Sequence, residues 1–570
     1  MSTSELIQWL PDTQVAFCEH ENTSVKLFMQ LDAKLQTSRQ LLNNPTAANQ
    51  SKAYEYLSDA VYSIPLVNPR SLDRQSQQQI LSKFSGLAAL AASSALAVRR
   101  SPYEAICLLE HSRNLTNGQL LDYRCDISHL AKQHPTLAQQ FEALRARLDA
   151  TLNSGIPQPQ TIHARYPIAI ELEKVLNSIR RLPGFENYLG MPTEAELKAL
   201  ARGGTVVAVN VSELRSDALF ITSSGVYVLP LPQLGFAEAK SYMATWVDEV
   251  LIQPFSLGTA AKFNAHTRRI LSWLWTRVVE PVLLALGLLR PDHPSSTVPR
   301  VWWIGVGVMS RAPFHAATEY IFNFSEMVEE NSTLNYCIPS YTPTIKSLKY
   351  LIAPNHQAAR DHLILVTMPA TPGMSTLAGI NMEANMLQTC LQKRHLGCNL
   401  IPYPSPDVVR GEMKKHNLIH FACHGEVDVA NPSKSHLCLT RAANMAPTGR
   451  RELERFYVHD IMSTRVPAGK LAYLSACFSA VNGTRDLADE VTHIASAFQL
   501  AGFEHVIGTL WQAMDDSAVV VAEAFYKSWF DRYGGRKEWV PTAWREAVLT
   551  MRQKSKKMPL RWAAFIHIGP

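Results

Sequence analysis

Two short stretches of the sequence end in side chains that could do chemistry together. NLIHFACHGE contains His424 followed by Gly425, and KLAYLSACFSA contains Cys477, 53 residues after the histidine. Both stretches begin as short apolar runs, which are typical of buried β-strands. If the two strands are neighbours in a parallel sheet, their carboxyl ends meet at one edge and the side chains emerge together. The spacing leaves room for a hairpin, a helix and the return strand.

A thiol and an imidazole at one sheet edge suggest nucleophilic catalysis. A thiol ionises near neutral pH when a base lies within hydrogen-bonding reach, and His424 would supply that base to Cys477. Gly425 has no side chain, so its backbone N–H can approach a substrate carbonyl and, with the N–H of Cys477, hold the oxyanion. The alternative is a buried core cysteine beside a hydrogen-bonded histidine. Spacing and strand context alone leave both open, and they do not identify a third group that orients His424.

A metal site is the other chemistry that these residue types could support. His420, Cys423, His424 and Cys438 lie close in sequence. Side chains alternate along a strand, so His420 and His424 share one face and Cys423 takes the other. No zinc-ligand pair at the usual spacing completes a tetrahedral set. We therefore expect no metal, treat Cys423 as a small buried residue, and expect no cofactor, since a Walker-type phosphate loop is also lacking.

Residues 1–153 predict an all-helical domain. Apolar positions recur with the helical period, short turns separate them, and strand character is slight. In SPYEAICLLEHSRNL, four residues fall where the second helix of a tetratricopeptide repeat has its packing positions: Tyr103, Ala105, Leu109 and Ser112. A TPR-like solenoid would offer a concave surface to an activating protein partner, whereas a plain bundle would only cover the next domain. Both arrangements remain open.

The rest of the chain predicts an α/β architecture. After a linker, residues 166–298 form a connecting region with strands in 204–230 and long helices. Over 299–570, short apolar strands alternate with helices, the strands being VWWIGVG, HLILVTM, CNLIPYP, NLIHFAC, KLAYLSAC and HVIGTLW. Such alternation predicts a mainly parallel sheet covered on both faces.

Composition excludes several classes of function. A chain of 570 residues is too long for one core. The formal charge of +6 is spread along the chain in short clusters, so we expect no nucleic-acid partner. Nine cysteines, an odd number without a framework, indicate free thiols in a reducing compartment, and we expect a cytoplasmic protein.

No segment predicts a membrane span. Residues 85–98 are apolar but short and rich in Ala and Ser, and the apolar run from Trp273 is interrupted by Arg277, Glu280 and Pro281. The N-terminal residues lack the basic start and apolar core of a signal peptide, so none is expected.

From 299 to 570 the sequence resembles CHAT domains, which are caspase-like peptidases related to separase and often found behind tetratricopeptide repeats. The matching motifs occur in family order: APFHAA, SYTPTIKSL, HFACHGEVD with NPSKSHLCL, LSACFSA, LADEVTHIASAFQLAGFEHVIGTLW and WAAFIHIGP. The VVAVNVSELRSDALFI block is similar to the strands that precede the CHAT core. The resemblance implies a caspase-like three-layer sandwich preceded by a TPR-like helical domain.

The resemblance also assigns roles. His424 matches the catalytic histidine of the family and Cys477 its nucleophile, and a spacing of roughly 50 residues in this order is that of caspases. The sequence departs from the caspase Q-A-C-x-G form, since Phe478 and Ser479 follow Cys477. Cleavage after aspartate is therefore not implied.

Three acidic residues are candidates for substrate binding. In separase-like enzymes an acidic residue after the HVIGTLW strand faces the first subsite and favours a basic residue there. Asp515 matches this position best and Asp516 next. Because Asp is also a common helix N-cap, we assign Asp516 to the cap of a helix starting near Ser517, and Asp515 to the pocket. Asp428 either lines the same cleft or shapes a turn.

These assignments imply a cysteine endopeptidase that cleaves a protein substrate in a regulated pathway. CHAT enzymes are associated with immune-type and cell-death responses in microbes, so a form that is latent until a partner docks on the helical domain is expected. The alternative is a catalytically silent caspase-like scaffold that acts through protein–protein binding. Retention of His424, Gly425 and Cys477 weighs against the scaffold.

Overall fold

A computed structural model describes residues 21–72, 74–152, 159–252, 257–289, 298–323, 326–352, 361–441, 451–480, 487 and 489–570. The chain divides into two compact units. The first, here called the helical unit, comprises the chain up to Glu196 with two short segments, Ser212–Leu214 and Asp486–Glu490. The remainder forms the sheet unit.

The helical unit is built from amphipathic helices and one helix that is buried all round. Its helices are α1 (Glu21–Asn43), α2 (Ala47–Val67), α3 (Arg74–Lys83), α4 (Leu87–Ala97), α5 (Pro102–Ser112), α6 (Leu115–Arg124), α7 (Ser128–Gln133), α8 (Pro135–Leu152) and α9 (Pro159–Ile179), and α10 (Glu194–Leu200) begins at its end. Helix α5 starts where its composition predicts, because the Ser101 side chain accepts the N–H of Glu104 at 3.2 Å and Pro102 occupies the first turn.

The Ala-rich helix α4 is the centre of this unit. Its residues from Leu87 to Leu96 are all buried, and Leu57, Val61 and Phe84 belong to the same core cluster. The helical stretch Ser76–Ala97 is long and apolar enough to cross a membrane by length and composition, but 72% of its most apolar window is buried in the fold. Such burial is typical of a core helix.

The predicted all-helical character of the N-terminal region is confirmed. Three of the four predicted packing residues, Ala105, Leu109 and Ser112, are buried, and the Tyr103 hydroxyl donates to the Pro192 carbonyl at 3.0 Å. Stacking of these helices as a repeat array remains a prediction, as do the domain limits.

The sheet unit is organised around one sheet of eleven strands in the order β3-β2-β1-β4-β7-β16-β15-β14-β10-β8-β9. These strands are β1 (Thr205–Val211), β2 (Ser216–Ile221), β3 (Val226–Pro230), β4 (Arg300–Gly305), β7 (Ile338–Tyr341), β8 (His362–Thr367), β9 (Gly397–Pro402), β10 (Leu418–Ala422), β14 (Leu471–Ser475), β15 (His505–Thr509) and β16 (Phe565–Ile568). Neighbours are parallel except for β2 with β1 and β3, and β16 with β15. The predicted mainly parallel sheet is confirmed, and all six predicted strands are present.

Two smaller sheets and a set of helices complete this unit. Strands β5 (Thr318–Asn323) and β6 (Glu326–Ser332) pair, and β11 (Gly425–Glu426), β12 (His436–Arg441) and β13 (Glu452–Tyr457) form a three-stranded sheet. The helices are α11 (Phe236–Ile252), α12 (Leu257–Leu274), α13 (Glu280–Ala285), α14 (Thr333–Tyr336), α15 (Ile345–Ile352), α16 (Gly379–Gln392), α17 (Pro406–Met413), α18 (Val458–Ser463), α19 (Ile494–Ala501), α20 (Asp515–Lys527) and α21 (Val540–Lys554). Every residue of β10 is buried, as expected for a central parallel strand.

Candidate active site

The strands that lead to His424 and Cys477 are neighbours in the main sheet. Strand β10 pairs in parallel with β14, and Ala422 lies opposite Ser475. His424 and Cys477 each follow this pair by two residues, so they leave the sheet at the same level of its carboxyl edge. In parallel sheets this edge is where sites form.

The backbone at Gly425 lies directly against the backbone of Cys477. A Cβ atom added to Gly425 would come within 2.5 Å of the Cys477 carbonyl oxygen, so no larger residue fits without displacement. The His424 carbonyl accepts the N–H of Cys438 at 2.9 Å, which makes Gly425 and Leu437 a pair that does not exchange hydrogen bonds. The Gly425 N–H is therefore not used in pairing with β12.

A main-chain carbonyl orients the histidine ring. His424 Nε2 lies 2.8 Å from the carbonyl oxygen of Ser375, in the loop between β8 and α16. A carbonyl only accepts hydrogen bonds, so Nε2 carries the hydrogen and the neutral ring has its lone pair on Nδ1. This arrangement fixes the tautomer that can act as a base through Nδ1. Sequence reasoning missed Ser375 because its contribution comes from the main chain and leaves no signal in residue type.

The cysteine rests as a neutral thiol. Cys477 is partly exposed, and desolvation by the surrounding protein raises the pKa of its thiol to about 11. The nearby Asp515 carboxylate also raises this pKa, whereas a hydrogen bond with the Ala513 backbone lowers it. Among the described residues no hydrogen bond joins Cys477 to His424. Catalytic hydrogen bonds are often long before substrate binds, so the lack of this bond is compatible with a catalytic pair.

The loop after the cysteine is held by the end of strand β15. Phe478 has a φ of 57°, which is uncommon for a residue other than glycine. The Ser479 hydroxyl accepts the N–H of Thr509 at 2.9 Å, and the N–H of Ala480 donates to the Thr509 carbonyl at 2.9 Å. The Thr509 hydroxyl in turn donates to the Ala476 carbonyl at 2.8 Å. These bonds fix the backbone on both sides of the thiol.

Two acidic residues lie close to the pair. Asp515 is the first residue of α20; partial burial raises its pKa, the nearby His424 lowers it, and the charge of Glu383 raises it. Glu383, on α16, is 2% exposed; its Oε1 lies 3.1 Å from His420 Nε2 and its Oε2 accepts the Ser475 hydroxyl at 3.2 Å. Sequence reasoning missed Glu383, because one acid in a helix is no signal without its tertiary neighbours.

The predicted role of Asp516 as a helix cap is wrong. Helix α20 begins at Asp515, and its N-cap residue is Met514, which makes no side-chain capping bond. Asp516 is therefore inside the first turn, where its carboxylate pairs with Arg561. The error arose because the helix starts two residues before Ser517, the predicted position.

The predicted alternatives for Asp428 are distinguished by its contacts. Its Oδ1 accepts the N–H groups of Ala430 at 2.9 Å and Asn431 at 2.8 Å, and its own N–H donates to the Ser435 hydroxyl at 3.1 Å. These bonds close a turn, so Asp428 shapes the chain after the histidine, and in the described part of the chain no contact joins it to the pair.

The possible metal ligands considered in the sequence do not form one group in the described structure. His420 Nε2 faces Glu383 Oε1 at 3.1 Å, and Cys423 is 2% exposed, with burial raising the pKa of its thiol. A different set comes together: the ligand atoms of Glu426, His436 and Cys438 all lie within 4.8 Å of one another.

Comparison with known proteins supports the fold. The family model of the CHAT domain matches residues 268–570, a little over half of the chain. No curated protein matches the chain. A structure of the Saccharomyces cerevisiae separase–securin complex at 2.6 Å is similar with a TM-score of 0.52 and 11% identity, covering 98% of this chain and 41% of that one. At this identity the likeness concerns the caspase-like fold alone.

Two further structures are less similar. A second structure of the Saccharomyces cerevisiae separase–securin complex gives a TM-score of 0.49 at 11% identity, covering 96% of this chain and 40% of that one. The Arg-specific cysteine proteinase gingipain R of Porphyromonas gingivalis gives 0.33 at 10% identity, covering 54% and 75%. Scores of this size do not establish a shared fold. The chain spans about two fifths of the length of the separase chains.

Proposed function

This chain belongs to the CHAT domain family, and from that premise we propose that it is a cysteine endopeptidase that cleaves a protein substrate in a regulated response. One observation carries the proposal. His424 and Cys477 follow a directly paired position of two parallel strands by the same two residues, and the Ser375 carbonyl leaves Nδ1 of the histidine as the base.

The reaction follows from this geometry. Nδ1 of His424 takes the thiol proton, and the Cys477 thiolate attacks the scissile carbonyl. The backbone N–H groups of Gly425 and Cys477 receive the oxyanion, and the Ser375 carbonyl stabilises the imidazolium. His424 then gives its proton to the leaving amine, and water hydrolyses the acyl-enzyme.

The preferred substrate carries a basic residue before the cleaved bond. Asp515 brings negative charge close to His424, and it lies at the surface where a substrate side chain can reach it. A Lys or Arg side chain would pair with Asp515 and gain a charge-assisted hydrogen bond. Asp516 is already paired with Arg561 and is not assigned to this pocket.

The enzyme is latent until a partner engages the helical unit. The resting thiol is protonated and not hydrogen-bonded to His424 among the described residues, as a latent state requires. Asp489 follows Cys477 by twelve residues and belongs to the helical unit. Its carboxylate accepts the N–H of Gly86 at 2.8 Å. A partner that binds these helices could act on the nucleophile through this segment of the chain. The similar separase structures are complexes with the protein securin.

The surroundings of the cysteines favour a cytoplasmic location. The eight cysteines in the described part of the chain are free thiols. Free thiols persist in reducing compartments.

Cleavage mapping with the wild-type and Cys477→Ala chains tests the proposed function. Both are incubated with a diverse peptide library, and new termini are identified by mass spectrometry. Cleavage after basic residues by the wild type alone is the expected result. If neither chain cleaves, even with a cell extract as the source of partner, and no thiol-reactive peptide probe labels Cys477, the silent scaffold is the correct alternative.

A further inference from the structure

The hairpin that follows the candidate catalytic histidine carries three side chains suited to a metal ion. Glu426 on β11 lies directly opposite His436 on β12, and Cys438 follows His436 by two residues on the same strand. Residues opposite each other, and residues two apart on a strand, share one face of a sheet. Accordingly the carboxylate, imidazole and thiol ligand atoms lie within 4.8 Å of one another.

The imidazole of His436 is oriented as a ligand. It is 7% exposed, and its Nδ1 lies 2.9 Å from the Lys434 carbonyl oxygen, so Nδ1 carries the hydrogen and Nε2 the lone pair. Nε2 is buried without a hydrogen-bond partner in the described structure, although Glu426 Oε2 lies 3.0 Å away. Two acceptors facing each other at this distance repel unless a cation or a proton lies between them. A histidine whose other nitrogen donates to a backbone carbonyl is the usual form of a metal ligand.

We propose that Glu426, His436 and Cys438 bind one divalent ion of the zinc class, with a fourth coordination position open to water or to another ligand. Thiolate, imidazole and carboxylate are the donors that Zn²⁺ accepts, and hard ions such as Mg²⁺ and Ca²⁺ do not favour sulfur. The two anionic ligands together balance the charge of the ion. Glu426 is 46% exposed at its side chain, so the ion can enter from solvent.

A bound ion would act on the segment that carries the histidine. The N–H of Cys438 donates to the His424 carbonyl at 2.9 Å, and Glu426 lies two residues beyond His424. Tying β11 to β12 through the ion would therefore fix the backbone of His424 and Gly425. The site shares no ligand with the proposed dyad, although the Cys438 thiol is close enough to Cys477 to feel its charge.

Metal binding by the full chain tests the site without relying on cleavage. The Cys477→Ala chain, in which the nucleophilic thiol cannot contribute, is stripped with chelator and titrated with Zn²⁺ against a chromophoric competitor, and with Co²⁺ as a spectroscopic probe. The expected result is one equivalent of either metal and a thiolate-to-Co²⁺ charge-transfer band. Absence of stoichiometric binding overturns the proposal, whatever the outcome of the cleavage experiment.

Variants assign the ligands. Cys438→Ala in the same background should remove the charge-transfer band, whereas Cys423→Ala, which removes an equally buried thiol, should keep it. Loss of groups that only orient a ligand weakens metal binding about 10- to 100-fold. Glu426→Gln removes a ligand itself, so it should weaken binding at least 10-fold. The position is exposed, so this substitution should not disturb folding. An unchanged band in Cys438→Ala, or unchanged affinity in Glu426→Gln, would contradict the assignment.

Discussion

At the scale of single residues, the proposed chemistry depends on how closely two backbones approach. Gly425 lies against the Cys477 carbonyl, and its N–H is not used by the neighbouring strand. Glycine is required here for lack of space, since its φ is not in the left-handed region. The same residue thus positions the two catalytic segments and supplies an oxyanion donor.

Gly425→Ala should slow cleavage and lower stability. The new methyl group meets the Cys477 carbonyl, and overpacking of this kind costs about 1–3 kcal/mol in the free energy of unfolding. Displacing one oxyanion donor lowers kcat about 100- to 1,000-fold. Gly411→Ala, on helix α17 with nothing within 4 Å of the added atom, is the matched control. It should retain activity and gain up to ~1 kcal/mol, measured by chemical denaturation.

Asp515→Asn should reduce cleavage after Lys and Arg. Hydrogen bonds to charged groups contribute ~1.5–3 kcal/mol, so kcat/KM for basic substrates should fall about 10- to 150-fold. Asp516→Asn is the control, since this carboxylate is engaged by Arg561. Steady-state kinetics on matched peptides with a basic or a neutral residue before the cleaved bond separate a loss of selectivity from a general loss of activity. An equal loss on neutral peptides would mean that Asp515 does not select the substrate.

Residue types in the sequence identified the pair but not the groups that support it. His424, Gly425 and Cys477 stand at the ends of recognisable strands. Ser375 acts through a carbonyl, which every residue possesses, and Glu383 acquires its role only by packing of α16 against the sheet. These two were beyond prediction because their function depends on tertiary position.

At the scale of elements, strand β15 acts as the support of the nucleophile loop. Its last residue, Thr509, bonds to the chain on both sides of Cys477 through its backbone and its hydroxyl. The central strands were predictable because strands buried on both faces are continuous apolar runs. The short strand β11 and the more polar strand β13 lack that pattern, so the spacing predicted a hairpin after His424 but not which residues form its strands.

Thr509→Val should loosen the nucleophile loop while keeping side-chain shape. It removes the hydroxyl bond to the Ala476 carbonyl and leaves that buried acceptor unpaired, which costs about 1–3 kcal/mol in the free energy of unfolding. Cleavage should slow as well, because the thiol is less firmly placed. Thr389→Val, which removes a similar bond on the exposed face of α16, should change stability by less than ~0.5 kcal/mol. Equal changes in the free energy of unfolding would show that the bond of the Thr509 hydroxyl stabilises the fold no more than the exposed bond at Thr389.

Glu490 gives the helical unit a pH-dependent stability. Burial raises its pKa from 4.5 to about 7, although the N–H groups of Leu115 and Thr116 at the start of α6 lower it in part. Because the folded pKa lies above the unfolded value, the unfolded state ionises first as the pH rises. The free energy of unfolding should therefore fall between pH 4.5 and about 7, by up to ~3 kcal/mol.

Glu490→Gln removes the titration and tests this assignment. Chemical denaturation between pH 5 and 8 should give a flatter profile for Glu490→Gln than for the wild type. Glu55→Gln, at an exposed position of α2, should leave the wild-type profile unchanged. Parallel profiles for wild type and Glu490→Gln would contradict the raised pKa.

At the scale of the whole molecule, the segment Asp486–Glu490 between the nucleophile and α19 belongs to the helical unit. Leu487 packs in the core of the helical unit, and Asp489 and Glu490 bond to its helices. The sequence predicted the two kinds of architecture from their different periodicities. It did not predict that residues from the LADEVTH motif belong to the helical unit, because long-range docking has no local pattern.

The central claim is that Cys477 is a nucleophile activated by His424. The most direct measurement is covalent labelling of the full chain with a peptidyl acyloxymethyl ketone that carries Arg at the reactive end, mapped by peptide mass spectrometry. We expect one label, on Cys477, and at least a 100-fold slower reaction in His424→Ala, since general bases contribute about 100- to 10,000-fold. Labelling of another cysteine, an equal rate in His424→Ala, or no labelling with a cell extract present would contradict the account.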